Sequence, residues 1–133
     1  MTDFENFVYE AHSGLRWLVI LLTFIAAGWL IYRLAQKPTY DKTTHRIVAA
    51  WSGLIGLQCV IGLGLFLILA DWDLRHRWEH LVVMTIAVVV AHVYVRLKQR
   101  PDRVRIQGAL ASILATLVLV YLGVALLPQG WTG

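Results

Sequence analysis

The stretch WEHLVVMTIAVVVAHVYVRL, residues 78–97, is a run of twenty residues that is apolar almost throughout. About twenty such residues cross a hydrocarbon core of roughly 30 Å. With no water to bond to, the backbone there must satisfy its own polar groups, which a helix does. Two histidines, His80 and His92, lie inside this run. An imidazole in hydrocarbon is costly, so it turns toward a partner, a cavity or a cofactor. Twelve residues separate the two, a rise of about 18 Å and an angular offset of about 120° on an ideal helix. Two cofactors on different faces, or one cofactor and one structural histidine, fit that offset.

Three more runs of the same kind surround it: Leu15–Ala35, Ile47–Ala70 and Ile106–Leu127. The chain of 133 residues is 59% hydrophobic and 15% charged, a balance that excludes an ordinary soluble domain. Short connections between the four runs favour antiparallel neighbours. The expectation is an all-α, integral membrane, up-down-up-down four-helix bundle forming one transmembrane domain across residues 1–133, in contact with membrane lipid.

Lys and Arg set the orientation. Nine of the twelve flank the connections after runs one and three: Arg33, Lys37, Lys42, Arg46, Arg96, Lys98, Arg100, Arg103 and Arg105. Arg16, Arg75 and Arg77 lie toward the other side, with Asp3, Glu5, Glu10, Asp71, Asp73 and Glu79. The positive-inside rule makes the two basic connections cytoplasmic and both termini extracytoplasmic. Because the charge is confined to two short turns, nucleic-acid binding is not expected. The acidic start and the length of the first run are read as a retained span, not a cleaved signal. Trp17, Trp72, Trp78 and Trp131 at one boundary, and Tyr32, Tyr40, Trp51 and Tyr94 at the other, fit aromatic belts. Pro128-Gln129-Gly130 ends the last span.

The remaining histidines mark boundaries. In an up-and-down bundle His12 and His80 share one leaflet, while His45 and His92 share the other. Two such pairs suit axial ligation of a metal or haem. His12 has Arg16 four residues on, which falls on the same face if the helix begins before His12. Arg16 can then pair with haem propionates, or it can snorkel to phosphate headgroups with His12 an interfacial residue. Glu79 or a backbone carbonyl could orient the His80 ring. His76, four residues before His80, offers a rival use: with Asp71, Asp73 and Glu79 it could hold Cu or Zn outside the membrane.

In the second run Ser52, Gly56, Val60 and Gly64 recur every four residues, with Gly53 and Gly62 nearby. The stripe admits either close helix packing or a flat macrocycle. Gln58, at mid-membrane depth, would bond a neighbouring helix or contact a cofactor or quinone. Cys59 stands alone in the chain and reads as a packing residue.

The segment His12-Ser13-Gly14-Leu15-Arg16-Trp17 resembles the opening of small four-span bacterial membrane proteins labelled cytochrome b-like. The resemblance extends to Gln58-Cys59-Val60-Ile61-Gly62-Leu63, to Glu79-His80 with Met84, and to Ala91-His92. It covers most of the chain through short motifs. It implies a bacterial cytoplasmic-membrane protein that binds one or two haem b groups and transfers electrons, with His12, His80 and His92 as transferable ligands. A quinone, a partner subunit or a second copy of the chain would be the partner. Relatives often carry a histidine shortly before the glutamine, where this chain has Gly56. A second haem would therefore need His45 or another substitute. The rival to an electron-transfer role is a non-redox accessory or scaffold subunit. No nucleophile–base pair, phosphate loop or carboxylate dyad points to a hydrolytic or phosphoryl-transfer enzyme.

Overall fold

The computed structural model describes residues 2–69 and 74–127. Four helices follow one another: α1 (Asp3–Ala35), α2 (Lys42–Leu69), α3 (Arg75–His92) and α4 (Asp102–Ala125), with a 3-10 helix (Val93–Leu97) continuing α3. All four are long and apolar enough to cross a membrane, α3 together with its 3-10 extension. Each packs on its neighbours in sequence, and α1 closes the ring on α4. Side-chain pairs give the directions. Trp51 Nε1 on α2 donates to Thr23 Oγ1 on α1, and Trp29 Nε1 donates to Thr44 Oγ1, so later residues of α1 meet earlier ones of α2. The Ser52–Tyr94 hydroxyl pair (2.9 Å) and the Phe66–Trp78 ring contact (4.9 Å) run the same way between α2 and α3. The architecture is the expected antiparallel all-α four-helix bundle.

Burial follows the helical period. Val19, Thr23, Ala26 and Leu30 on α1, Val48, Trp51, Ser52 and Ile55 on α2, and Ile106, Ala109, Ile113 and Thr116 on α4 recur at three- and four-residue steps and are buried. Large apolar side chains such as Phe24, Leu57, Val89, Val118 and Tyr121 point outward on all four helices. That surface suits lipid, because in water it would be an extended apolar patch.

Two helix boundaries and one proposed stripe differ from the sequence reading. α1 starts at Asp3, twelve residues before the first apolar run, because Thr2 and Glu5 form a reciprocal capping box. His12 is therefore inside the helix, with Arg16 one turn further along the same face. The third α-helix ends at His92, and the remaining five residues of the apolar run tighten into the 3-10 turn. The proposed stripe at four-residue intervals does not stay on one face. Ser52 is buried while Val60 is 67% exposed. Four steps of 100° overshoot a full turn by about 40°, so a strict four-residue repeat spirals away from its starting face. Trp72, Asp71, Asp73, Ala70, Trp131 and the Pro128-Gln129-Gly130 terminator lie outside the described residues.

The two ends of the bundle differ. The packed cluster of Leu30, Val48, Trp51, Tyr94, Ile106 and Ala109 fills the half nearer the basic connections. There the 36–41 connection is tied down: Arg33 bonds the Thr39 carbonyl and pairs with Asp41 at 3.1 Å, and the Tyr40 N–H donates to Asp102. The half from which α1 and α3 start is hollow.

Candidate functional site

His12 and His80 meet in the hollow half. They lie on α1 and α3, which sit diagonally across the ring of helices, and their ring centres are 6.4 Å apart with planes at 85°. A cavity of about 180 Å³ surrounds them and is lined from all four helices. Most of the lining is apolar, including Val19, Ile55, Leu65, Phe66, Met84, Val120 and Val124. The polar exceptions are the two histidines, Tyr9, Ser13, Gln58, Arg16 and Arg77.

The flanking helices contribute glycines at the two imidazoles. A Cβ on Gly62 of α2 would lie 2.8 Å from His12 Cε1 and 3.4 Å from both ring nitrogens. The missing side chain on α2 is thus the space in which the His12 ring lies. On α4, the Gly123 carbonyl accepts a hydrogen bond from His80 Nδ1 at 2.7 Å. A carbonyl only accepts, so Nδ1 carries the proton and Nε2 of the neutral ring is left with its lone pair. This is the usual arrangement for a histidine that ligates a metal through Nε2. A Cβ on Gly123 would meet Met84 Cε at 2.6 Å, so this glycine also admits the α3 side chains. Between the two orienting groups offered by the sequence, the carbonyl holds His80. Glu79 is engaged with Arg75 at 2.8 Å.

The ring separation can be set beside the values that ligation would require. With metal–nitrogen bonds of roughly 2.0 Å, two imidazoles in trans have ring centres about 6.3 Å apart, whereas a tetrahedral angle brings them to about 5.1 Å. The observed 6.4 Å matches the trans arrangement. Two imidazoles at this separation, a glycine making room for one of them, apolar walls and two guanidinium side chains are groups that could hold a flat macrocycle bearing acidic side chains. Arg16 lies one turn along α1 from His12, with its guanidinium 4.9 Å from the Trp17 ring centre.

The other two paired positions do not come together. His92 is exposed, its Nδ1 donates to the Val88 carbonyl one turn back at 2.8 Å, and its Cε1 lies 3.9 Å from a Cβ built on Gly56. His45 sits at the basic end, 3.3 Å from the Tyr40 hydroxyl. Gly56 and His45 are eleven residues apart on α2, about 16 Å of rise, so His45 and His92 cannot share one metal ion. His76 is outside the cavity lining. Among the described residues no group of three His, Cys, Asp or Glu side chains gathers as a metal site. Asp71 and Asp73, which a site at His76 would recruit, are outside the described residues.

Gly123 and Arg77 went unrecognised in the sequence. Arg77 had a usable signal, since it precedes His80 by three residues and shares its face. Gly123 had none, because its role comes from a contact between α4 and α3. Gln58 does bond a neighbouring helix: its Nε2 donates to the His12 carbonyl at 2.7 Å. Comparison of the chain with protein-family models, with curated proteins and with solved structures finds no match in any of the three.

Proposed function

We propose that this protein is a membrane cytochrome b-like electron carrier that binds one haem b between α1 and α3, with His12 and His80 as axial ligands. The observation that carries the reading is the 6.4 Å between the two ring centres inside a cavity with apolar walls. His80 is already oriented through Nδ1, and Gly62 leaves room for the His12 ring. Arg16 and Arg77 supply cationic partners for propionates, for which a planar guanidinium fork is well suited. Haem held by two histidines supplies reversible one-electron chemistry with both axial positions filled, which favours electron transfer over oxygen activation. The protein contributes ligand geometry, a low dielectric and exclusion of water. The chain lies in the bacterial cytoplasmic membrane with both termini outside, and a quinone or a partner subunit exchanges electrons with it.

Protein purified from haem-replete cells should show a Soret band and a reduced α-band. His12→Ala and His80→Ala should each abolish the low-spin spectrum, and added imidazole should partly restore it, because only the ligand is missing. His92→Ala should retain the spectrum, since His92 lies outside this cavity. A colourless preparation, or an unchanged spectrum in His80→Ala, overturns the reading.

A further inference from the structure

The three intramembrane histidines differ in what their Nδ1 atoms do. His80 Nδ1 donates to Gly123 O, and His92 Nδ1 donates to Val88 O. His12 Nδ1 is buried and makes no hydrogen bond. The Gln58 side-chain amide is bonded to the His12 backbone carbonyl, and its Oε1 is also buried and without a hydrogen bond. A ring nitrogen that can carry a proton and an acceptor that lacks one thus belong to two residues already in contact, in a region where an unmade bond is not recovered from water. Among the described residues the only other side-chain acceptor in that condition is Thr116 Oγ1, which is not part of the cavity lining.

Gln58 is also anchored. Its Nε2 donates to the His12 backbone carbonyl at 2.7 Å, and Gly62, one turn further along α2, leaves space for the ring. The terminal torsion of a glutamine is broad, so a modest rotation brings Oε1 toward the ring while Nε2 keeps its carbonyl.

We propose that Gln58 is the positioning residue of His12: it holds the backbone through Nε2 and takes the Nδ1 proton on Oε1, leaving Nε2 as the ligating nitrogen. Each axial histidine then has its tautomer fixed by a neighbouring helix, His12 by α2 and His80 by α4. The hydrogen-bonded acceptor also raises the basicity of the ring, as outer-shell partners of metal-bound histidines do. As an account of ligand tuning this rests on the haem reading above, but the tautomer itself does not.

The first measurement is made on haem-free protein in detergent, with 15N-labelled histidine and the His12 signals assigned from their loss in His12→Ala. His12 is expected as the Nδ1–H tautomer. In Gln58→Leu it should shift toward the Nε2–H form. In Gln58→Glu it should stay Nδ1–H, with the Nδ1 resonance moved toward a stronger hydrogen bond by the carboxylate. An Nε2–H tautomer in the wild type, no change in Gln58→Leu, or an unmoved Nδ1 resonance in Gln58→Glu overturns the proposal. Should Gln58→Leu fail to fold, the wild-type and Gln58→Glu spectra decide it. In haem-loaded protein Gln58→Leu should weaken haem retention roughly 10- to 100-fold and raise the midpoint potential, and Gln58→Glu should lower that potential. A correctly fixed His12 tautomer in a chain that takes up no haem would remove the electron-carrier reading and leave this one standing.

Discussion

Gly62 and the His12 ring compete for one volume, and only the absence of a side chain at 62 lets the ring lie where it does. Gly62→Ala places a methyl carbon 2.8 Å from His12 Cε1, so the ring or the α1–α2 spacing must shift. Overpacking of this kind costs about 1–3 kcal/mol. Here that cost should appear as loss of haem and of the low-spin spectrum, with α-helix content retained. Gly64→Ala is the matched control, because a Cβ there has no neighbour within 4 Å. Equal haem content in the two variants would contradict the role given to Gly62. Parity placed His12 and His80 at the same end of the bundle, where they meet, but the same rule paired His45 with His92, which do not. What fixes each ring was not legible in the sequence. Gly123 O and the Gln58 amide reach their histidines from other helices, and spacing along one helix carries no record of such contacts.

At the level of the helix, α2 shows how a chain restarts after a connection. Asp41 accepts the Thr44 backbone N–H at 2.9 Å and pairs with Arg33, which ties the first turn of α2 to the end of α1. The Thr44 backbone and hydroxyl bonds, with the Arg33 charge beyond them, hold the Asp41 carboxyl below the usual carboxylate value. The folded value is the lower one, so the stabilisation is complete above the ordinary aspartate pKa of about 3.9 and is lost as pH falls through the folded value. Asp41→Asn keeps a capping oxygen but not the charge. Thermal unfolding in detergent followed below about pH 4 should show a shallower acid dependence in Asp41→Asn than in the wild type. Identical acid slopes would remove Asp41 from this role. Hydropathy located all four helices, yet it set the start of α1 at Leu15 when the helix begins at Asp3. Hydropathy reports where lipid begins, whereas the capping box at Thr2 and Glu5 reports where the helix begins, and the two need not coincide. Likewise the Ser52, Gly56, Val60 and Gly64 repeat was an arithmetic regularity without a shared face. The inward small residues are Ser52 against Tyr94, Gly56 near His92 and Gly62 against His12, each serving a different partner.

Across the whole molecule, one half is solid and the other is open. Trp51, Leu30, Ile106 and Tyr94 fill the half beside the basic connections, and the histidine cavity lies in the half where α1 and α3 begin. A ligand in that cavity would be confined to one leaflet, so the side of the membrane it would face follows from the orientation of the bundle. Nine cationic residues flank the connections after spans one and three, against three toward the other side. Moving Lys or Arg into the middle of a bilayer costs about 2.5–3.5 kcal/mol each on insertion scales, which disfavours translocation of the basic connections. The cavity should accordingly open toward the extracytoplasmic leaflet. A phosphatase reporter fused after Gly133 should be active, and a fluorescent reporter that matures only in the cytoplasm should be dark at the same position. The same pair inserted after Gln99, in the second basic connection, should give the opposite pattern. If the Gly133 fusion is cytoplasmic, the bundle is inverted and the histidine pair faces the cytoplasm. A quinone or partner subunit would then have to meet the haem from that side, while the 6.4 Å geometry that defines the site would be unaffected.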